Sequence, residues 1–284
     1  MAVDARDVDL DAHNARERSG SVESYGEWMR VNCVIDARDD IFNFIRNQDV
    51  STNPVREYLS DGWRTLAQLL LVMDAVDRPL ARVGSMLEFA AGFGRFTRHL
   101  APLLAGRLTA ADIHPGSVEF LRDEFGVDAF YSAHDPARLA IPARYDLVFV
   151  LSMFTHLPPA MWAPWLRALF AAVKPGGVLV FTVHHESLAK HFGQTFGPDG
   201  TYFHADSESR ELTVETYGTT LTTRAFVEAE VQRALGRPVT RYLERAFWHG
   251  QDAVVVAAET RMTQGRSLGK AVGMGYVPDS QDCE

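Results

Sequence analysis

From Pro79 onward the chain alternates short apolar runs with helical segments, and that alternation decides its architecture. "GSMLEFAA", "RLTAADIH", "DAFYSA", "YDLVFVLS" and "GVLVFTVHH" read as strands, while "RFTRHLAPLL", "PGSVEFLRDEFG" and "PPAMWAPWLRALFAAV" read as helices. Strands interleaved with helices make a parallel sheet covered on both faces. After an irregular stretch over 186–222 comes the helical "TRAFVEAEVQRALG" and then two more strands, "VTRYLERAFWH" and "DAVVVAAET", with only "GQ" between them. So short a link requires an antiparallel hairpin, because a parallel pair needs a long crossover. The expected fold is α/β: a doubly wound, Rossmann-like, seven-stranded sheet, mostly parallel, with a C-terminal antiparallel hairpin.

The segments before this unit have a different texture. Residues 1–22 mix charges without an apolar period and are expected to be disordered. Residues 23–79 read as a helical cap, in which Val55, Tyr58, Leu59, Leu66, Leu69, Leu70 and Met73 recur at three- and four-residue steps. Asn53 suits the N-cap of that helix and Pro54 its first turn. Tyr25, Trp28, Tyr58 and Trp63 either face a ligand from the cap or only pack its helices together. The aromatic stretch "HFGQTFGPDGTYFH" within 186–222 is expected to act as a lid, since long irregular segments at an active rim often do. The glycine-rich tail over 261–284 is expected to be loose.

Charge and composition exclude several classes. A formal net charge of −9 argues against a sequence-independent nucleic-acid binder, which needs a basic stripe. Two distant cysteines, Cys33 and Cys283, form neither a disulfide framework nor a zinc ribbon, and no spacing suggests a bound metal. With no apolar leader and no membrane-length apolar run, the chain is expected to be cytoplasmic and away from membranes. A homodimer is left open.

In a doubly wound sheet the ligand belongs at the carboxyl ends of the strands. The loop "EFAAGFGR" lies at the first such end, and Asp112 ends the next strand. Gly92 and Gly94 allow close approach of a ligand to bare backbone, and a carboxylate at Asp112 can accept ribose hydroxyls. A P-loop is excluded because no Gly-Lys-Ser/Thr follows the glycines. The nicotinamide fingerprint fails because Thr97 stands where a third glycine is required. S-adenosylmethionine, which has an adenosine and an amino-acid end but no pyrophosphate, fits better.

"LEFAAGFGR" resembles the E/D-x-G-x-G-x-G motif of class I S-adenosylmethionine-dependent methyltransferases, with Ala90 at the usual first-glycine position. "ADIHP", "SAHDPARL", "YDLVFVLSMFTHLPP" and "VKPGGVLVFTV" are similar to that family's later motifs, in the same order. The likeness spans residues 80–260 and implies S-adenosyl-L-methionine as cofactor. It implies Glu88 for the cofactor's ammonium, Ala90, Gly92 and Gly94 for backbone approach, and Asp112 for the ribose. It also implies Asp135 for the adenine amino group and Ser152 at the fourth strand end. Other roles stay open: Glu88 as a loop-ordering carboxylate, Asp112 as a helix N-cap, Asp135 as a turn residue.

A hydroxyl acceptor must lose its proton, which calls for a general base. His156, just after the fourth strand, is the first candidate, with packing or capping as its other reading. His184 and His185 at the end of the fifth strand come second, and alternation turns one inward and one outward. The Asn/Asp-Pro-Pro-aromatic box of enzymes that methylate DNA bases or glutamine is replaced here by "SMFT", and the Pro-Cys pattern of cytosine-C5 enzymes is missing. The acceptor expected is therefore a small molecule or a sugar, with O-methylation ahead of N- or C-methylation. A non-catalytic methyltransferase-like scaffolding subunit is the alternative from another class.

Overall fold

The computed structural model describes residues 2–4, 30–47, 53–205, 217–248 and 250–259. In chain order the elements are β1 (Ala2–Asp4), β2 (Val34–Asp36), α1 (Asp40–Arg46), α2 (Pro54–Ala75), β3 (Met86–Phe89), α3 (Thr97–Leu100), β4 (Leu108–Asp112), α4 (Ser117–Phe125) and β5 (Asp128–Tyr131). There follow β6 (Tyr145–Val150), α5 (Pro159–Ala171), β7 (Val173–His184), α6 (Ser187–His191), β8 (Thr201–His204), β9 (Thr219–Thr222), α7 (Arg224–Leu235), β10 (Arg241–Phe247) and β11 (Gln251–Ala257).

The main sheet has seven strands in the order β10-β11-β7-β6-β3-β4-β5. β3 pairs parallel with β4 on one side and with β6 on the other, while β11 runs antiparallel to both β7 and β10. The chain thus winds outward from β3 through β5, returns to β3's other edge, and winds outward again. Where the winding reverses, between β3 and β6, the loops diverge and leave a crevice at the carboxyl ends.

Alternation along the central strands divides the core. Leu147 and Phe149 of β6 belong to one apolar cluster and Val148 and Val150 to another, one on each face of the pleat. α5 and α7 cover the second face with Trp162, Trp165, Leu169, Val227 and Val231. α2 covers the first. Asn53 caps it by accepting from the Arg56 N–H at 3.0 Å, and Pro54 sits in its first turn. Its second half is sheet core rather than cap, because Leu69, Val72, Met73 and Val76 join the cluster that contains Met86 and Phe149. Each such burial contributes about 1.5–3 kcal/mol, far more than the ~0–1 kcal/mol of an exposed ion pair. Apolar packing therefore fixes the helix.

The first half of α2 does overhang the carboxyl ends. It packs with α1 and β2 in a small separate cluster of Ile35, Phe42, Val55, Tyr58 and Leu59. Tyr58 meets Phe42 edge-on at 5.6 Å, whereas Trp63 is exposed, so neither aromatic takes up the ligand-facing role. Tyr25 and Trp28 lie outside the described residues. Within the segment expected to be disordered, residues 2–4 pair antiparallel with β2, and the remainder is outside the described residues, as is the tail over 261–284. The stretch 186–222, expected to be irregular, holds α6 and the antiparallel pair β8–β9.

Candidate functional site

A cavity of about 680 Å³ lies at the carboxyl ends of β3, β4, β6 and β7, roofed by α1 and the first half of α2. That volume is ordinary for a small-molecule site. Glu88, Ala90, Gly92, Asp112, Ser152, His156 and His184 all line it. Seven of the ten candidates from the sequence thus surround one space.

The β3–α3 loop makes the floor. Ala90 and Gly92 both have left-handed backbone, with φ of 63° and 57°. A Cβ on Gly92 would meet no protein atom within 4 Å, so this stretch of the cavity floor is bare backbone. The Gly92 N–H donates to Asp112 Oδ2 at 2.7 Å, tying the loop to the end of β4. Asp112 Oδ1 accepts from the His114 backbone N–H at 2.9 Å and from His114 Nδ1 at 2.7 Å. Asp112 is not a helix cap; Gly116 holds that position on α4. Glu88 is buried and accepts from the Thr97 hydroxyl at 2.7 Å. Burial, with Asp112's charge nearby, pushes its carboxyl up to about 8.

Ser152 sits at the end of β6 with φ of 59°. Its hydroxyl accepts from Gln251 Nε2 at 2.8 Å, and Gln251 Oε1 accepts from Thr182 at 2.6 Å. His156 Nδ1 is 2.8 Å from the Gly218 carbonyl, and its ring stacks on Tyr217 with centroids 4.4 Å apart. Burial lowers its pKa to about 4.

Three candidates fall outside. Gly94 does not line the cavity; a Cβ there would stand 2.3 Å from Phe125, so this glycine serves close packing of the loop on α4. Asp135 is exposed and accepts from the Ala137 N–H at 2.9 Å, capping a turn, while its neighbours Ser132, Ala133 and His134 line the cavity. The turn reading is the one the structure supports. His185 points away from the cavity toward Ser187 and Glu244, as alternation requires once His184 points in.

Sequence reasoning missed four wall residues. Arg95 packs over the Trp248 ring at 4.5 Å and lies 3.6 Å from Asp61 of α2. Trp248 itself donates from Nε1 to Thr65 at 2.8 Å, fastening α2 to the β10–β11 turn. Gln251 pairs with His184 across the sheet, so an antiparallel β11 necessarily starts at the active rim. The fourth is His114. The hairpin signal alone could have located Trp248 and Gln251.

Among the described residues no group of three or more His, Cys, Asp or Glu is placed to hold a metal, and no helix is long and apolar enough to cross a membrane. Residues 86–177 match the family model described as a methyltransferase domain. No curated protein matches the chain. Among solved structures, DesVI of Streptomyces venezuelae is similar at 15% identity, with 77% of this chain and 95% of that chain covered and a TM-score of 0.49. The S-adenosylmethionine-bound amino pentose methyltransferase CalS10 of Micromonospora echinaspora is similar at 17% identity, covering 72% and 97%, with a TM-score of 0.48. The glycopeptide N-methyltransferase MtfA with sinefungin is similar at 16%, covering 69% and 93%, with a TM-score of 0.49.

Proposed function

We infer that this chain is a class I S-adenosylmethionine-dependent methyltransferase that acts on a small molecule or a sugar, methylating a hydroxyl with His156 as general base; the match of residues 86–177 to a methyltransferase domain supports the reading. The observation that carries the reading is the Gly92–Asp112 bond, which presents bare backbone and a carboxylate side by side on the cavity floor.

The donor set suits the cofactor. Gly92 leaves room for close approach, Glu88 offers a buried carboxylate to an ammonium, and Asp112 offers a carboxylate oxygen on the cavity wall to ribose hydroxyls. When bound, S-adenosylmethionine supplies an electrophilic methyl group on a sulfonium. The chain's own part is orientation, exclusion of water and proton removal. His156 donates its Nδ1 proton to the Gly218 carbonyl, because a carbonyl only accepts. That leaves a lone pair on Nε2, which takes the acceptor's hydroxyl proton. Tyr217, Met161 and Trp165 bound the same space with apolar surface and keep it dry.

Calorimetric titration with S-adenosylhomocysteine tests the assignment: saturable one-to-one binding supports it, and its absence in folded protein refutes it. Mass spectrometry of methylated products from a hydroxylated-metabolite panel then tests the acceptor class. Binding without turnover on any acceptor would favour the scaffolding alternative.

A further inference from the structure

We propose that His114 is a positioning residue that ties the cofactor carboxylate Asp112 to the roofing helix α1, so that cofactor binding and roof closure are coupled through one imidazole. The proposal rests on reading the cavity as a cofactor site.

His114 stands between two carboxylates on different elements. Its Nδ1 donates to Asp112 Oδ1 at 2.7 Å, and its Nε2 lies 3.6 Å from Oδ2 of Asp40, the first residue of α1. The ring cannot swing freely. Its own backbone is held by its N–H to Asp112 at 2.9 Å, and its carbonyl accepts from the Ser117 hydroxyl at 2.7 Å. Phe93 flanks the ring at 6.5 Å between centroids, and Arg38 covers Phe93 in turn.

The bonding of Asp112 shows what this arrangement does. Oδ1 already accepts two hydrogen bonds from His114, and Oδ2 accepts one from Gly92. A carboxylate oxygen has two lone-pair sites, so Oδ2 alone keeps one for a ligand. His114 thus fixes the plane of the carboxylate and leaves the free site on Oδ2 in one direction. The groups facing the imidazole are Asp112 from β4 and Asp40 and Asp39 from α1 and its cap; Arg38, which reaches the neighbouring Pro115 carbonyl, is engaged by Asp36 at 2.6 Å. The hydrogen bond to Asp112 is the largest cause raising the imidazole's pKa above its ordinary value, with the charges of Asp112, Asp40 and Asp39 adding to it. The charged form holds both carboxylates, and it is lost as pH rises above about 6.5 and through that raised value.

The test uses S-adenosylhomocysteine affinity from pH 6 to 9 and hydrogen exchange of α1 amides in the full chain. The variants are His114→Asn, whose amide can keep the Asp112 bond without charge, and His114→Ala. The wild type should weaken relative to His114→Asn as pH rises, since titration of Glu88 is common to both and cancels. His114→Ala should bind about tenfold more weakly at pH 6, the scale of a lost hydrogen bond to a charged group, with faster exchange over Phe42–Asn47. Parallel pH profiles for wild type and His114→Asn overturn the coupling. If the wild type binds no S-adenosylhomocysteine at any pH, the cofactor reading fails; α1 exchange then decides alone, and unchanged exchange in His114→Ala overturns the tie.

Discussion

His156 Nδ1 lies 2.8 Å from the carbonyl oxygen of Gly218, a residue 62 positions further along the chain. One hydrogen bond therefore sets which ring nitrogen carries the proton and anchors the start of β9 to the rim of β6. Because burial holds the imidazole at about 4, the ring is neutral throughout the neutral range. In the proposed role of base, such a ring takes a proton with little driving force.

His156→Ala is expected to lower turnover by roughly a hundredfold, the usual scale for one acid–base group. Cofactor affinity should hardly change. In the wild type the rate should fall as pH drops through about 4, where the ring becomes protonated, and not near the ordinary 6.5. A limb near 6.5 that survives in His156→Ala would assign the base elsewhere, with His184 next on the cavity wall.

Glu88 gives a proton-linkage prediction. With its carboxyl at about 8, the group is mostly protonated at pH 7 in the free protein. A ligand ammonium beside it favours the carboxylate. Binding of S-adenosylhomocysteine at pH 7 should therefore release up to about one proton, seen as a buffer-dependent heat in calorimetry. Glu88→Gln should abolish that release. The stability sign runs the same way. A carboxyl whose folded pKa is raised favours the fold below its ordinary value of 4.5, and this contribution is lost as pH climbs to about 8. Glu88→Gln should then melt no lower than wild type at pH 8, and a clearly lower Tm would show that the carboxylate itself is structural.

Much of this was readable from residues alone. The mostly parallel sheet follows from alternation and the antiparallel pair from the "GQ" link, and the placing of Glu88, Gly92 and Asp112 at the cavity follows from their positions at strand ends. What escaped depended on distance across the chain. Nothing local distinguishes Gly92 from Gly94, because the difference is Phe125, 31 positions after Gly94, packed on one and absent from the other. Asp135 likewise sits in the right segment, yet its side chain turns back on Ala137. The amphipathic period of α2 shows a buried stripe but not that the stripe's second half faces the sheet.

The two glycines can be separated experimentally. Gly94→Ala should destabilise the fold by about 2–5 kcal/mol, from overpacking against Phe125 and Leu121 added to the strain of a left-handed φ of 80°, and leave the remaining folded protein able to bind. Gly92→Val should instead remove S-adenosylhomocysteine binding, with a stability loss nearer the ~1–2 kcal/mol of a left-handed non-glycine residue. Denaturation midpoints paired with calorimetry would read both. Matching behaviour of the two variants would refute the division.

The carboxylates Asp112 and Asp135 offer the sharpest contrast, because they occupy equivalent-looking positions after neighbouring strands. Asp112 is 4% exposed, holds the Gly92 amide and lines the cavity. Asp135 is exposed and its contacts are the turn N–H of Ala137 and, at 4.0 Å, Arg138. Asp112→Ala should weaken S-adenosylhomocysteine binding by about 1.5–3 kcal/mol, the range for a hydrogen bond to a charged group. Part of that loss is indirect, since Gly92 also loses the acceptor that fixes the loop. Asp135→Ala should leave affinity within about twofold and cost stability no more than the ~1 kcal/mol of a cap. Isothermal titration of both variants at one pH decides the matter. Should Asp135→Ala lose affinity as steeply as Asp112→Ala, the exposed turn must rearrange to meet the ligand, and the assignment of Asp135 to the turn alone would be wrong.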